Sequence, residues 1–163
     1  MEGGEKKKVV MVAIDSSECS HYALEWALHN SLLNSDQLLI FTVQPISDLN
    51  YLVASSMGSA PPELIRNFQQ QQQKAADTLL KKAKELCDKH GITATTVTEV
   101  GDPKEKISEA VEKFNVTLLI LGSHGRGPLQ RLVLGSRWAF LGSVSNFCVH
   151  NVKCPVLVVK KRN

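Results

Sequence analysis

Val9-Val10-Met11-Val12-Ala13-Ile14 is an unbroken apolar run, mostly β-branched, with no polar position to turn towards water. A strand of that kind is buried on both faces, and a parallel sheet with helices packed above and below it is the usual way to bury both. The strand is expected over Lys8–Asp15, and the rest of the chain repeats its logic. Gln37–Gln44 supplies a second strand through Leu38, Leu39, Ile40, Phe41 and Val43, closed by Pro45. Ile92–Val100, rich in threonine and valine, reads as a third with one wetter face, suited to a sheet edge. Val116–Leu121 is the fourth. Cys154–Lys160 is the fifth, and its basic ends also suit an edge.

Helical patterns fall between these runs. Ser16-Ser17-Glu18 opens a helix with Ala23, Trp26 and Ala27 on one face. Pro61-Pro62-Glu63 opens a long one reaching about His90 and ended by Gly91, with an apolar stripe at Ala76, Leu79, Leu80, Ala83, Leu86 and Cys87. The glutamines Gln69 to Gln73 inside it read as a solvated helix face, not as low complexity. Asp102 is the expected N-cap of the next helix and Pro103 its first residue, with Ile107, Ala110, Val111 and Phe114 turned inward. Phe140, Leu141, Val144, Phe147 and Cys148 make the stripe of the last helix. Residues 46–62 are rich in Ser, Gly and Pro and read as a long loop with at most one helical turn near Leu52, serving either as a partial lid or as a disordered connection.

Strand and helix alternate throughout, so the expected fold class is α/β, an open five-stranded parallel sheet with helices on both faces, Rossmann-like and of the adenine-nucleotide-binding type. Right-handed crossovers and the apolar first and fourth strands give the order 3-2-1-4-5. Ligands of such sheets bind beyond the carboxyl ends of the strands where the order reverses, between strands one and four. Asp15 and the segment Gly122-Ser123-His124-Gly125-Arg126-Gly127 are delivered there. Glycines let backbone N–H groups approach a phosphate, and the start of the following helix adds its free N–H groups and positive dipole end. In that reading Asp15 binds a ribose hydroxyl or a base edge, or else simply caps its helix. Val43 offers main-chain groups and an apolar wall to an adenine. Arg126 and Arg131 screen phosphate charge or contact only water, and His124 is either a ligand contact or a solvent-facing loop residue.

Other chemistry finds little support. No Lys follows Gly127, so the G-x-x-x-x-G-K-[ST] phosphate loop is missing, and the G-x-G-x-x-G fingerprint meets Gln130 in its third glycine position. No G-x-S-x-G elbow surrounds Ser123. The histidines His21, His29, His90, His124 and His150 have no H-x-x-x-H or H-E-x-x-H spacing, and Cys19, Cys87, Cys148 and Cys154 form no C-x-x-C pair, so no metal ligands and no catalytic residues are assigned. A chain of 163 residues, 43% hydrophobic, suits a single domain over 1–163 with a flexible start at 1–7. Its 19 Lys and Arg are interspersed with 16 Asp and Glu, which gives no nucleic-acid stripe. The apolar run at Val9–Ile14 is too short for a signal-peptide core or a membrane span, so a cytoplasmic, soluble protein without membrane partners is expected.

Asp15 after the first strand, Gly101-Asp102-Pro103 before the third helix, Gly122-x2-Gly125-x9-Gly135-Ser136 and the closing Cys154-Pro155-Val156-Leu157-Val158-Val159 together resemble the universal stress protein family in its small single-domain plant form. The resemblance runs from Val9 to Lys160. It implies binding of ATP or AMP, with or without Mg, a homodimer formed through the fifth strand, and a role in stress response or signalling with at most slow ATP hydrolysis. The family's nucleotide contacts fall on Ala13, Asp15, Val43, Gly122, His124 and Gly125, with Arg126 beside them, and on the Gly-Ser pair that opens the last helix.

This chain departs from the family pattern at that pair. Leu134-Gly135-Ser136 recurs seven residues later as Leu141-Gly142-Ser143, followed by Val144 and Ser145. Spacing from Gly125 favours the first pair and local context the second. Seven residues are about two helical turns, so one expectation, preferred here, has Gly135-Ser136 holding phosphate with Gly142 inside a lengthened helix. Another has the repeat looping out and Gly142-Ser143 binding, and a third has neither pair well placed and affinity reduced. The main alternative function is a nucleotide-independent homodimeric interaction or chaperone-like module. Enzymatic adenylate chemistry is disfavoured because no acid, base or metal cluster accompanies the loop.

Overall fold

In the computed structural model, which describes residues 6–30, 37–124 and 142–162, the strands β1 (Val9–Ala13), β2 (Gln37–Pro45), β3 (Ala94–Gly101), β4 (Leu118–Gly122) and β5 (Val156–Val159) make one parallel sheet in the order β3-β2-β1-β4-β5. The helices are α1 (Glu18–His29), α2 (Ile46–Ser55), α3 (Pro62–Lys89), α4 (Pro103–Lys113) and α5 (Ser143–Asn151). Strand order and direction agree with the expectation from the sequence, and strand ends differ by a residue or two.

The period of two along β1 explains its unbroken apolar run. Val10 and Val12 enter a core layer with Leu24 and Ala27 of α1 and Leu80, Ala83 and Cys87 of α3. Met11 and Ala13 enter the opposite layer with Ile107, Ala110 and Val111 of α4 and Cys148 of α5. Both faces are roofed, so neither set of side chains has a wet side to face. Met11, Val12, Ile40, Phe41, Leu119 and Ile120 are all fully buried.

Local chemistry sets the helix ends. Ser17 caps α1, its Oγ accepting from the Ser20 N–H at 3.2 Å, and Asp102 caps α4 by accepting from Lys104 and Glu105. At the far end of α3, Gly91 takes φ +71° while the Ile92 N–H reaches back to the Cys87 carbonyl, the 6→1 bond of a Schellman stop. Asn115, with φ +50°, stops α4 in the same way, through Val116 N–H to Val111 O.

One expectation needs correction and one gains a detail. Residues 46–62 are not a continuous loop, because Ile46–Ser55 is the helix α2. Its half-buried positions, Leu49, Leu52 and Val53, follow the helical i, i+3, i+4 pattern, but a background of Ser, Asp and Asn and the absence of any fully buried residue masked it. The glutamine run is a largely exposed helix face, as expected, and two of its side chains also reach β2. Gln73 Oε1 accepts from the Nε2 of the buried Gln44 at 3.0 Å, and Gln72 Nε2 donates to the Pro45 carbonyl at 3.4 Å, so these two side chains tie α3 to the end of β2.

Candidate functional site

β1 and β4 are neighbours whose following helices leave to opposite faces of the sheet, which opens the crevice at their carboxyl ends. Register sets what stands there. Ala13 is level with Phe41 and Val12 with Ile120, so extending the pairing brings Asp15 beside Val43 on one side and Ser123 on the other. Ala13 and Val43 belong to the core layer under α4 and α5, Ala13 buried and Val43 partly so, which leaves chiefly their main chains to meet a ligand. Asp15 is half-buried. Its Oδ1 accepts the Ser17 N–H at 2.9 Å, yet the N-cap itself is Ser17, so Asp15 braces the turn into α1 without capping the helix. His124 is half-buried, and its carbonyl accepts from Ser17 Oγ at 3.4 Å, which joins the chain beyond β4 to the start of α1.

Gly122 has a steric cause that the sequence did not reveal. A Cβ there would lie 2.7 Å from the Cys19 carbonyl carbon and 2.8 Å from both the Cys19 oxygen and the Ser20 nitrogen. All three are main-chain atoms in the first turn of α1. The end of β4 and the start of α1 therefore touch backbone to backbone, and only glycine fits between them.

The last helix settles where the Gly-Ser start lies. Gly142 is the N-cap of α5, in extended conformation, and Ser143 is the first helical residue. Gly142 is therefore not inside a lengthened helix, contrary to the preferred expectation. The cause is a clasp: the Ser123 carbonyl accepts the Gly142 N–H at 2.6 Å, and the one Ser145 hydroxyl proton is shared between the Ser123 carbonyl at 3.2 Å and the Gly142 carbonyl at 3.1 Å, which holds the helix start against the end of β4. Ser145, 4% exposed, was not among the candidates, although the Gly-Ser-Val-Ser context carried it. Val144 packs into the core layer, so its main chain alone remains for a ligand. Gly125, Arg126, Gly127, Arg131, Gly135, Ser136 and Trp138 lie outside the described residues, and so do Phe140 and Leu141 of the expected stripe.

Electrostatics single out this helix start. α1, α2, α3 and α4 each carry an acidic residue in the first turn, Glu18, Asp48, Glu63 and Glu105, whereas α5 carries none and, among the described residues, has no side chain bonded to its opening N–H groups. Uncapped N–H groups with the positive end of a helix dipole behind them suit an anion. A separate cavity of about 450 Å³ beside α1 touches the site only at Asp15, Ser16 and Ser17, and its other walls include Glu25 and the Glu18–Lys161 ion pair. The Ser123 hydroxyl is buried without a hydrogen-bond partner among the described residues. All four cysteines are free, and burial pushes the Cys87 and Cys148 thiols up to about 11. No described helix is long and apolar enough to cross a membrane.

Comparison with known proteins agrees with this architecture. The model of the universal stress protein family matches residues 7–160. A universal stress protein A-like protein of Arabidopsis thaliana is 28% identical over 97% of this chain and 93% of its own length. Among solved structures, the Methanocaldococcus jannaschii protein MJ0577 superposes with a TM-score of 0.75 at 22% identity, covering 96% of this chain and 97% of that one. The Arabidopsis thaliana family protein At3g01520, solved with AMP bound, has a TM-score of 0.65 at 24% identity, over 95% and 92% of the two chains. With the family model spanning nearly all of its length, this chain belongs to the universal stress protein family.

Proposed function

We propose that this protein binds an adenine nucleotide, ATP or AMP with or without Mg, at the crevice between β1 and β4, and acts in stress response or signalling by binding and not by rapid turnover. The observation that carries the proposal is the start of α5, the one described helix with neither an acidic first turn nor a capping side chain, clasped to the end of β4 beside Asp15. In this reading the amides after Gly142 and the Ser143 hydroxyl hold phosphate oxygens, together with the main chain at Gly125 and Arg126. Asp15 takes a ribose hydroxyl, the main chains of Ala13 and Val43 border the base, and His124 lies along the phosphates. The AMP bound by the Arabidopsis relative supports the ligand class. Ligands that bind only the folded state raise its melting temperature, and at a hundred times Kd the gain is about 2.7 kcal/mol. The test is a thermal shift with ATP, ADP and AMP, with and without Mg. Asp15→Asn retains an acceptor for the Ser17 N–H, so it should keep the apo melting temperature while weakening the response. An unchanged melting curve at millimolar nucleotide would refute the proposal.

A second reading, a nucleotide-independent interaction module, draws on a specific surface. α2 has no buried residue, and Tyr51 is 76% and Met57 92% exposed. Cellular activity retained by an Asp15→Ala, Gly125→Val double variant would favour it. Either reading is compatible with a homodimer through β5, the edge strand whose Val156, Leu157 and Val158 are only half-buried. Size-exclusion chromatography of a Leu157→Lys variant tests that contact, and an unaltered elution volume would remove β5 from the interface.

A further inference from the structure

His29 and His90 are far apart in sequence, and no spacing rule links them. The fold lays the ends of α1 and α3 side by side at the amino-terminal edge of the sheet, opposite the nucleotide crevice, with the two imidazole centroids 4.9 Å apart and the planes at 77°. His29 Nδ1 lies 2.8 Å from the Glu25 carbonyl oxygen and His90 Nδ1 3.0 Å from that of Leu86. A carbonyl oxygen can only accept, so in each bond Nδ1 carries the proton. In the neutral ring Nε2 is then a bare lone pair. Metal-bound histidines commonly adopt this arrangement, donating the other ring nitrogen to a backbone carbonyl.

The spacing fits as well. With metal–nitrogen bonds of about 2.0–2.1 Å, two imidazoles sharing one ion at angles between square and tetrahedral have ring centres roughly 4.5–5.2 Å apart. His29 is the last residue of α1 and His90 the C-cap of α3, so both stand where the carbonyl ends of helices favour a cation. Both side chains are exposed, which lets water complete the coordination. Among the described residues no third His, Cys, Asp or Glu completes a larger cluster.

We propose that His29 and His90 form a two-histidine surface site for a divalent transition ion of imidazole preference, Zn²⁺, Cu²⁺ or Ni²⁺, which clips the end of α1 to the end of α3. His150 supplies an internal control. Its Nδ1 also bonds a backbone carbonyl, that of Asn146 at 2.8 Å, but no second imidazole lies against it among the described residues.

The experiment titrates Zn²⁺ into the full chain by calorimetry, alongside melting curves with and without Zn²⁺ and imidazole nitrogen spectra of the unaltered protein. The expected result is that His29→Gln and His90→Gln each weaken binding at least tenfold and abolish the Zn²⁺-dependent rise in melting temperature, that the double variant loses no more, and that His150→Gln changes neither. Simultaneous Zn²⁺-induced shifts of the His29 and His90 Nε2 signals read the site without any substitution. Wild-type binding in either single variant, or an equal loss in His150→Gln, would overturn the proposal.

Discussion

Replacing Gly122 by alanine separates architecture from ligand binding. The added methyl carbon would sit 2.7 Å from the Cys19 carbonyl carbon and 2.8 Å from the Cys19 oxygen and the Ser20 nitrogen. Ordinary carbon contacts begin at about 3.5 Å, so the overlap is several tenths of an ångström against three atoms at once. None of them can rotate away, because all belong to the hydrogen-bonded first turn of α1. Relief requires moving α1 off β4, and α1 packs Ala23, Leu24 and Ala27, all buried, into the core layer. Overpacking of this kind costs roughly 1–3 kcal/mol and more where the backbone must shift. About 3 kcal/mol is the expected loss, which for a domain of this size lowers Tm by about 6–12 °C. The assay is thermal and urea unfolding of the nucleotide-free protein. An apo Gly122→Ala protein melting within about 2 °C of the parent would refute the steric assignment and return Gly122 to a purely ligand-facing role. It follows that loss of nucleotide response in a Gly122 variant says little about phosphate contacts unless the apo stability is measured beside it.

Cys87 and Cys148 ionise near 11 in the folded chain and nearer 9 when exposed, so the folded state is favoured in full below pH 9 and loses that advantage as pH rises towards 11. Stability should fall by on the order of 2 kcal/mol per thiol across that window, measured by urea unfolding against pH, and Cys87→Ala should flatten the slope. Asn115→Gly relieves a positive φ at the end of α4 and should raise stability by about 0.5–1 kcal/mol in the same assay, whereas Asn115→Val should lower it. Deleting Gly135–Leu141 joins Leu134 to Gly142 and satisfies both the glycine spacing and the Gly-Ser-Val-Ser context, so the apo Tm should stay within a few degrees while the nucleotide-induced shift is kept or enlarged. Collapse of the apo protein would show that the repeated segment is structural.

Much of the fold was legible because both faces of the central strands are covered. Val10 and Met11 go to opposite layers and both are buried, which produces an unbroken apolar run that few other architectures require. Helix ends were legible where the capping chemistry is local, as at Asp102-Pro103 and Gly91. The sequence was silent where the cause is tertiary. Gly122 looked like a phosphate-loop glycine, and its tightest constraint is the backbone of α1. Gln73 is exposed as expected, but its bond to the buried Gln44 was not legible, because Gln44 lies on another element. α2 was hidden for the opposite reason: nothing in it is fully buried, and the Ser, Gly and Pro that follow it made the whole of 46–62 read as loop.

The clasp also accounts for why a duplicated boundary is cheap at this point in the chain. The chain leaves β4 through Ser123 and returns at Gly142, and the Ser123 carbonyl bonds to both the Gly142 N–H and the Ser145 hydroxyl. What lies between is closed at its base by contacts that do not depend on its length. In a flexible connection closure entropy grows only logarithmically, so seven added residues would cost about 0.5 kcal/mol there. Extending α5 by two turns would instead place Gly142 mid-helix, at roughly 1 kcal/mol, and divert its N–H from Ser123. Gly142-Ser143 is the pair that opens α5, where it keeps β4 and α5 joined, and it carries Ser145 two residues after Ser143. The equivalent position after Ser136 is Trp138, which has no hydroxyl to give.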